Sequence, residues 1–320
     1  MNMTMNQNFQ GGIQMDNIEK ARSRLIDYIN DTGKSQAVIS KRIGLSPATM
    51  SQFLNDSYSG DNEEIAMMID SFLYLQEMRK TYTKAPDFTD SLKNTRKIIN
   101  TLDYVYANKC TGIVSGVSGC GKTTALKNYQ KMMNGVIYIQ ADATKWSPYS
   151  ILKLIAKSID NNLCKGSASD ILDNLIEKLT GVDKLIIIDE AQHLKAKAFD
   201  TLRVLNDRAE IGVVYAGTPD IIQRMTIGRA KEEFDQVYSR IEYTCNLSNR
   251  FKIKEITALF DAFNLDNTVI KCLCNAASQK GDLRYAINLF KVVNSAENGK
   301  ITVTAIEEAM KRVGKGVQFK

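Results

Sequence analysis

Apolar residues in this chain follow two periodicities in turn. Short runs rich in Ile, Val, Leu and Tyr stand at 111–115, 135–141, 184–189, 211–217 and 241–247. Their length and β-branched content suit strands buried on both faces. The stretches between them repeat apolar residues at three- and four-residue steps, the spacing of one helix face. Strands alternating with helices predict an α/β core whose parallel sheet lies between helices. After Asn249 only the helical period remains, at 251–263, 268–277, 282–295 and 303–313, which predicts a small helical lid behind that core.

Upstream, the first dozen residues are polar and expected to be mobile. From Asp16 to about Lys80 the pattern is helical, with Ile18, Leu25, Ile26 and Ile29 on one face and a turn at Asp31-Thr32-Gly33. Ser35 to Ile43 and Ala48 to Leu54 then read as two short helices around Gly44-Leu45-Ser46-Pro47. Gly44 allows a positive φ, Ser46 is a good N-cap, and Pro47 suits a first helical position. This is the grammar of a helix-turn-helix. Lys41 and Arg42 would meet phosphates, while Thr49 and Gln52, exposed with Ser51 on the second helix, would read base edges. A hairpin built for packing alone carries the same pattern. Residues 1–80 hold eight Lys and Arg against ten Asp and Glu, so DNA affinity there is local and weak. The expected organisation is an N-terminal helical domain at 1–80, a linker at 81–90 containing Lys84-Ala85-Pro86-Asp87, a nucleotide-binding core at 91–249, and the lid at 250–320.

The strongest chemical signal is Gly116-Val117-Ser118-Gly119-Cys120-Gly121-Lys122-Thr123-Thr124, between the first strand and a helix-forming run. Glycines let successive N–H groups surround phosphates at a helix N-terminus. Lys122 would reach the β- and γ-phosphates, and the Thr123 hydroxyl would bind Mg²⁺. Leu185-Ile186-Ile187-Ile188-Asp189-Glu190 is a buried strand ending in two acids. Asp189 would hold the Mg²⁺ and Glu190 would activate the attacking water. The fourth strand ends at Thr218, which either senses the γ-phosphate or caps the helix that Pro219 begins. Arg284, in Gly281-Asp282-Leu283-Arg284, opens a lid helix and would reach back to the γ-phosphate. Hydrolysis also needs positive charge at the leaving group. Arg240, just before the last strand, is the best-placed arginine to act on a neighbouring subunit, with Arg224, Arg229 and Arg250 as rivals. Both ATP and Mg²⁺ are therefore expected as cofactors.

Composition narrows the surroundings more than the function. The chain has 320 residues, 44% hydrophobic and 24% charged, with a formal net charge of +6, which permits nucleic-acid binding without demanding it. No apolar stretch approaches eighteen residues and the N-terminus does not read as a signal peptide, so a bacterial cytoplasmic protein without a membrane is expected. The six cysteines lack CxxC pairing and read as reduced thiols, with Cys272 and Cys274 as buried ones. Cys120 sits at a helix N-terminus, which lowers a thiol pKa, but a small residue tolerated in the loop is the favoured reading. The single histidine, His193, cannot build a multi-histidine metal site and is expected to pack or hydrogen-bond beside the two carboxylates.

Together these motifs resemble the AAA+ ATPases. The order of parts is similar to the Mu B-type target-DNA activator family: helix-turn-helix, the stretch Asn55-Asp56-Ser57-Tyr58-Ser59-Gly60-Asp61-Asn62-Glu63, phosphate loop, Asp189-Glu190-Ala191, Ser239-Arg240-Ile241 and a short lid. The resemblance spans about Asp16 to Arg312. It implies an ATP-dependent, largely sequence-nonspecific binder of double-stranded DNA. Such a protein forms helical filaments of itself, activates a transposase and contributes to target selection and immunity. By position, residues 116–124 carry over as the nucleotide loop, Asp189 and Glu190 as the acids, Arg240 as the trans-acting arginine and Arg284 as the lid sensor. The 162–166 loop is less basic than the family's counterpart, leaving Lys165 as its candidate DNA contact. Two other readings share the ATPase core: a transcription regulator reading a defined operator, and a helicase or replication loader.

Overall fold

The structure, a computed structural model, describes residues 5–82, 85–86, 88–227, 231–279, 283–296 and 301–312. The chain divides into two compact units, Met1–Lys84 and Ala85–Lys320.

In the first unit, four helices run in order: α1 (Met5–Thr32), α2 (Gln36–Ile43), α3 (Pro47–Leu54) and α4 (Asn62–Tyr82). The opening residues, expected to be mobile, are helical from Met5 onward. The turn between α2 and α3 follows its sequence: Gly44 has φ 96°, and the Ser46 hydroxyl accepts the Thr49 N–H at 3.0 Å, with Pro47 at the first position. Ala21, Leu25, Ile39, Met50, Phe53, Ile69 and Phe72 make a core drawn from all four helices. Arg22 ties α1 to the end of α3, donating to the Phe53 carbonyl at 2.8 Å and pairing with Asp56 at 2.6 Å. The stretch 55–63 is thereby a structured connection, since Asp61 also caps α4 through the N–H groups of Glu63 and Glu64, each at 3.0 Å.

The second unit opens with α5 (Lys93–Asn108) and then alternates: β1 (Thr111–Ser115), α6 (Lys122–Met132), β2 (Val136–Gln140), α7 (Pro148–Ile159), α8 (Ala168–Leu179), β3 (Leu185–Asp189), α9 (Ala196–Ala209), β4 (Gly212–Gly217), α10 (Asp220–Thr226), α11 (Lys231–Tyr238) and β5 (Ile241–Asn246). The five strands are parallel in the order β2-β3-β4-β1-β5. Alternation within each strand splits the apolar side chains between two faces. Ile113, Ile186, Ile188, Val213 and Tyr215 pack with α7, α8, α9 and α11, while Val114, Leu185, Ile187, Val214 and Ala216 pack with α5 and α6. Burial on both faces explains the continuous apolar runs.

Four more helices, α12 (Ile253–Leu259), α13 (Asn267–Gln279), α14 (Leu283–Ala296) and α15 (Val303–Arg312), enclose a third core of this unit around Leu273, Leu289, Phe290 and Ile306. The helix expected over 251–263 is shorter. It stops at Leu259, and a brief 3₁₀ turn follows that ends at Asn264 in a left-handed conformation of φ 48°. Leu92, just ahead of α5, packs into this lid core.

Candidate functional site

The strand order puts the carboxyl ends of β3, β4 and β1 side by side, a place where α/β sheets bind ligands. The chain leaves β1 through Gly116, whose N–H donates to the Gly217 carbonyl of β4 at 3.0 Å. A side chain could not replace this glycine, because an added Cβ would stand 2.9 Å from both the Cys120 Sγ and the Leu247 Cβ. Gly119 and Gly121 have φ 79° and 97°, and space is open beside Gly121. The first-turn N–H groups of α6 have no upstream helical acceptor, so the loop and helix start together form an anion-binding cradle.

Lys122 is buried, and its ammonium donates to the Gly116 and Val117 carbonyls at 2.7 and 3.0 Å. The Thr123 hydroxyl donates to Asp189 Oδ2 at 2.7 Å. Tyr138, on β2, donates to the same oxygen at 2.8 Å, and the Glu190 N–H serves Oδ1 at 2.9 Å. Asp189 is thus fully buried with both oxygens satisfied. Burial first, and then the neighbouring Asp189 charge, push the Tyr138 hydroxyl far above its ordinary range, so it remains a donor.

A cavity of about 290 Å³ runs from this loop to the lid. Ser118, Lys122, Thr123, Thr124 and Glu190 form its polar wall, and Pro86, Phe88, Leu92, Leu259, Leu283 and Ile287 its apolar one. Arg284, Asn288 and Lys291, one turn apart along α14, close the lid side. Pro86 and Phe88, read from sequence as linker, therefore line the site. The residues fit a nucleoside triphosphate with Mg²⁺. Phosphates meet backbone N–H groups and Lys122, a cation meets Thr123 and Asp189, and a base meets the apolar wall. Among the described residues no cluster of three His, Cys, Asp or Glu could hold a metal by itself.

Several expectations change. Burial, the largest cause, raises the Cys120 thiol pKa in spite of Lys122, opposite to the shift a helix N-terminus favours. His193 is exposed, and its side chain has no described bond to either carboxylate. Arg224 is a brace rather than a free charge. It donates to the carbonyls of Gln192 and Leu194 at 2.8 and 3.0 Å, with its guanidinium over the Phe234 ring. Thr49 is only half-exposed and bonds the Ser46 hydroxyl at 2.8 Å as part of the cap, so Gln52 alone of that pair stands clear. Cys274 is buried but Cys272 only partly so. Arg229 lies outside the described residues, as do Gly281 and Asp282.

The other candidates fall in two groups. Arg284 is on the cavity, and Thr218 sits at the end of β4, its hydroxyl donating to Asp220 at 2.9 Å. Arg240 and Arg250 are exposed and apart from the cavity lining, as is Lys165. Lys41 and Arg42 are exposed on α2 of the other unit. Residues that sequence reasoning missed are Tyr138, Gln192, Lys291 and Asn94. The last donates to the Ser248 carbonyl at 2.8 Å and accepts its N–H at 3.1 Å, with a longer contact to the Cys120 carbonyl at 3.4 Å.

Residues 107–225 match the AAA domain family. The chain is 27% identical over 285 residues to the ATP-dependent target DNA activator B of Escherichia phage Mu, covering 89% of this chain and 91% of that protein. Along most of its length the chain is similar to this target DNA activator, and it carries an AAA domain. The Mu-like prophage FluMu DNA transposition protein B of Haemophilus influenzae is 26% identical over 282 residues, 86% of this chain and 96% of that protein. Two solved structures share the fold, each at TM-score 0.55. They are the Aeropyrum pernix ORC2 protein, 18% identical over 73% of this chain and 71% of that one, and Cdc6p from Pyrobaculum aerophilum, 16% identical over 75% and 72%. The P-loop NTPase fold of this chain is therefore that of the AAA+ proteins. Among the described residues, no helix is long and apolar enough to cross a membrane.

Proposed function

We propose that this protein is an ATP-hydrolysing, largely sequence-nonspecific DNA-binding protein of transposition, which polymerises on target duplex in the bacterial cytoplasm and recruits and activates a transposase. The observation that carries this reading is an alignment running along about nine-tenths of both chains with a protein named an ATP-dependent target DNA activator. A cavity lined by Ser118, Gly119, Gly121, Lys122, Thr123 and Glu190, with Asp189 buried behind Thr123 and bonded to it, supports the ATP half of it.

In this reading Lys122 would bind the β- and γ-phosphates, and Thr123 and Asp189 would hold Mg²⁺. A bound Mg²⁺ would neutralise charge on the phosphates. Glu190 accepts the proton of the attacking water, Thr218 reports the γ-phosphate at the strand end, and Arg284 lets the lid respond to it. Arg240 serves the site of a neighbouring subunit. Its exposure supports this, as does a side chain with no hydrogen bond or ion pair among the described residues. Lys41, Arg42, Gln52 and Lys165 contact DNA. So few phosphate contacts per subunit give weak, salt-sensitive binding, which polymerisation with ATP between subunits converts to avidity and couples to nucleotide state.

Electron microscopy and footprinting of the Glu190→Gln variant test this. ATP-dependent filaments covering unrelated DNA sequences are expected, with hydrolysis cut to a small residual rate. A monomer indifferent to duplex in every nucleotide state, or protection of one discrete palindrome, would overturn it.

A further inference from the structure

Glu190 and Thr218 belong to the ends of different strands, and one side chain joins them. The Gln192 amide nitrogen donates a short hydrogen bond to Glu190 Oε2, while its oxygen accepts the Thr218 N–H at 3.2 Å. Glu190 itself is held in a left-handed conformation, φ 56°, which turns the chain straight into the 3₁₀ turn Ala191–His193 that carries Gln192. The backbone of Gln192 is fixed in turn, since Arg224 clamps its carbonyl at 2.8 Å. Room for the carboxamide exists only because residue 217 is glycine. An added Cβ there would collide with the Gln192 Oε1 and come within 2.6 Å of Ile221 Cδ1.

We propose that Gln192 is a positioning residue for ATP hydrolysis, coupling the water-activating carboxylate of Glu190 to the γ-phosphate-facing end of β4. This rests on the ATPase reading above. A glutamate side chain left alone would sample several rotamers. A charge-assisted hydrogen bond fixes one of its oxygens and leaves the other, which accepts no bond among the described residues, for water at the cavity wall. The carboxamide is planar and bonded at both ends, so a shift of Thr218 on nucleotide binding moves Glu190 with it. A merely structural Gln192 would only hold the turn.

Two substitutions in the full-length protein separate these roles. Gln192→Met keeps the bulk but loses both bonds. Gln192→Glu keeps the acceptor for Thr218 and sets a like charge against Glu190. Steady-state ATPase, binding of a fluorescent nucleotide and thermal melting would be measured for each. Both variants should lose about 10- to 100-fold in kcat, the range for one charge-assisted hydrogen bond, with KM and nucleotide affinity within about threefold of wild type. In a Glu190→Gln background, adding Gln192→Met should leave the residual single-turnover rate unchanged, because the group it positions is gone. The positioning role is refuted if kcat stays within twofold in both variants, if the losses multiply in the double variant, or if kcat falls only in step with affinity and melting temperature. A wild type that does not hydrolyse ATP at all would refute the ATPase reading along with it.

Discussion

Replacing Asn94 with alanine should loosen the nucleotide site from behind without touching any phosphate. Asn94 is 4% exposed and lies in the first turn of α5. Its two good hydrogen bonds, at 2.8 and 3.1 Å, tie that turn to Ser248, where β5 hands the chain to the lid, and its weaker contact reaches the loop at Cys120. A typical protein hydrogen bond contributes about 0.5–1.5 kcal/mol net, and a buried partner left unsatisfied costs about 1–3 kcal/mol. Loss of both Ser248 bonds, with partial rehydration of that half-buried backbone, comes to about 2–3 kcal/mol. For a unit of this size each kcal/mol lowers Tm by roughly 2–4 °C, so a fall of about 5–10 °C is expected. Differential scanning fluorimetry with and without ATP and Mg²⁺ would read it. The rise in Tm on adding ATP should also shrink, since a less ordered loop binds more weakly. Asn94→Asp keeps the acceptor for the Ser248 N–H but turns a carboxylate toward the Ser248 carbonyl, and should be at least as damaging. A Tm within 1 °C of wild type in both variants, with an unchanged response to ATP, would refute the reasoning.

Three further outcomes follow from the same geometry. Lys122→Ala should weaken ATP binding by about 10- to 150-fold, the loss of one charge-assisted contact, while Tm in the absence of nucleotide changes little. Titration calorimetry showing undiminished affinity would remove Lys122 from the site. Burial pushes the Cys110 thiol up to about 11 from 9.0. The folded protein therefore keeps a proton that the unfolded chain releases above about pH 9, and stability should decline as pH rises from about 9 to 11. Cys110→Ala should flatten that decline in urea titrations, and parallel slopes in variant and wild type would exclude the thiol as its cause. Finally, Lys41→Ala with Arg42→Ala should lower the slope of log affinity for duplex against log salt by about 2 if both touch phosphate. An unchanged slope would place DNA contact elsewhere.

How far the chain was legible depends on how local the deciding physics is. The phosphate loop needs a strand, glycines at fixed offsets, a lysine and a hydroxyl within nine consecutive residues. Asp189 and Glu190 follow directly on a buried strand. The Gly44-Leu45-Ser46-Pro47 turn states its own φ, cap and start. Each is encoded in contiguous sequence, and each stands where it was read. Sheet direction was legible as well, because continuous apolar runs separated by helices leave few alternatives to a parallel sheet.

Partners distant in sequence were not legible. Tyr138 shares an oxygen of Asp189 only because β2 pairs in register with β3, placing Gln140 opposite Asp189. Gln192 meets Thr218, 26 residues on, because β3 and β4 are neighbours and residue 217 has no side chain. At Cys120 burial, which no single position announces, outweighs a nearby positive end and raises the thiol pKa. Arg224 and Arg240 carry identical charge in similar surroundings of sequence, yet packing spends one on carbonyls and leaves the other in solvent. The sequence by itself thus determined which elements form and which short runs can grip phosphate, since those depend on backbone conformation and residue type within a few positions. Only the tertiary structure decided which side chains share an oxygen, which charge is neutralised and which thiol is shielded, because such properties arise from strands and helices brought together across scores of residues.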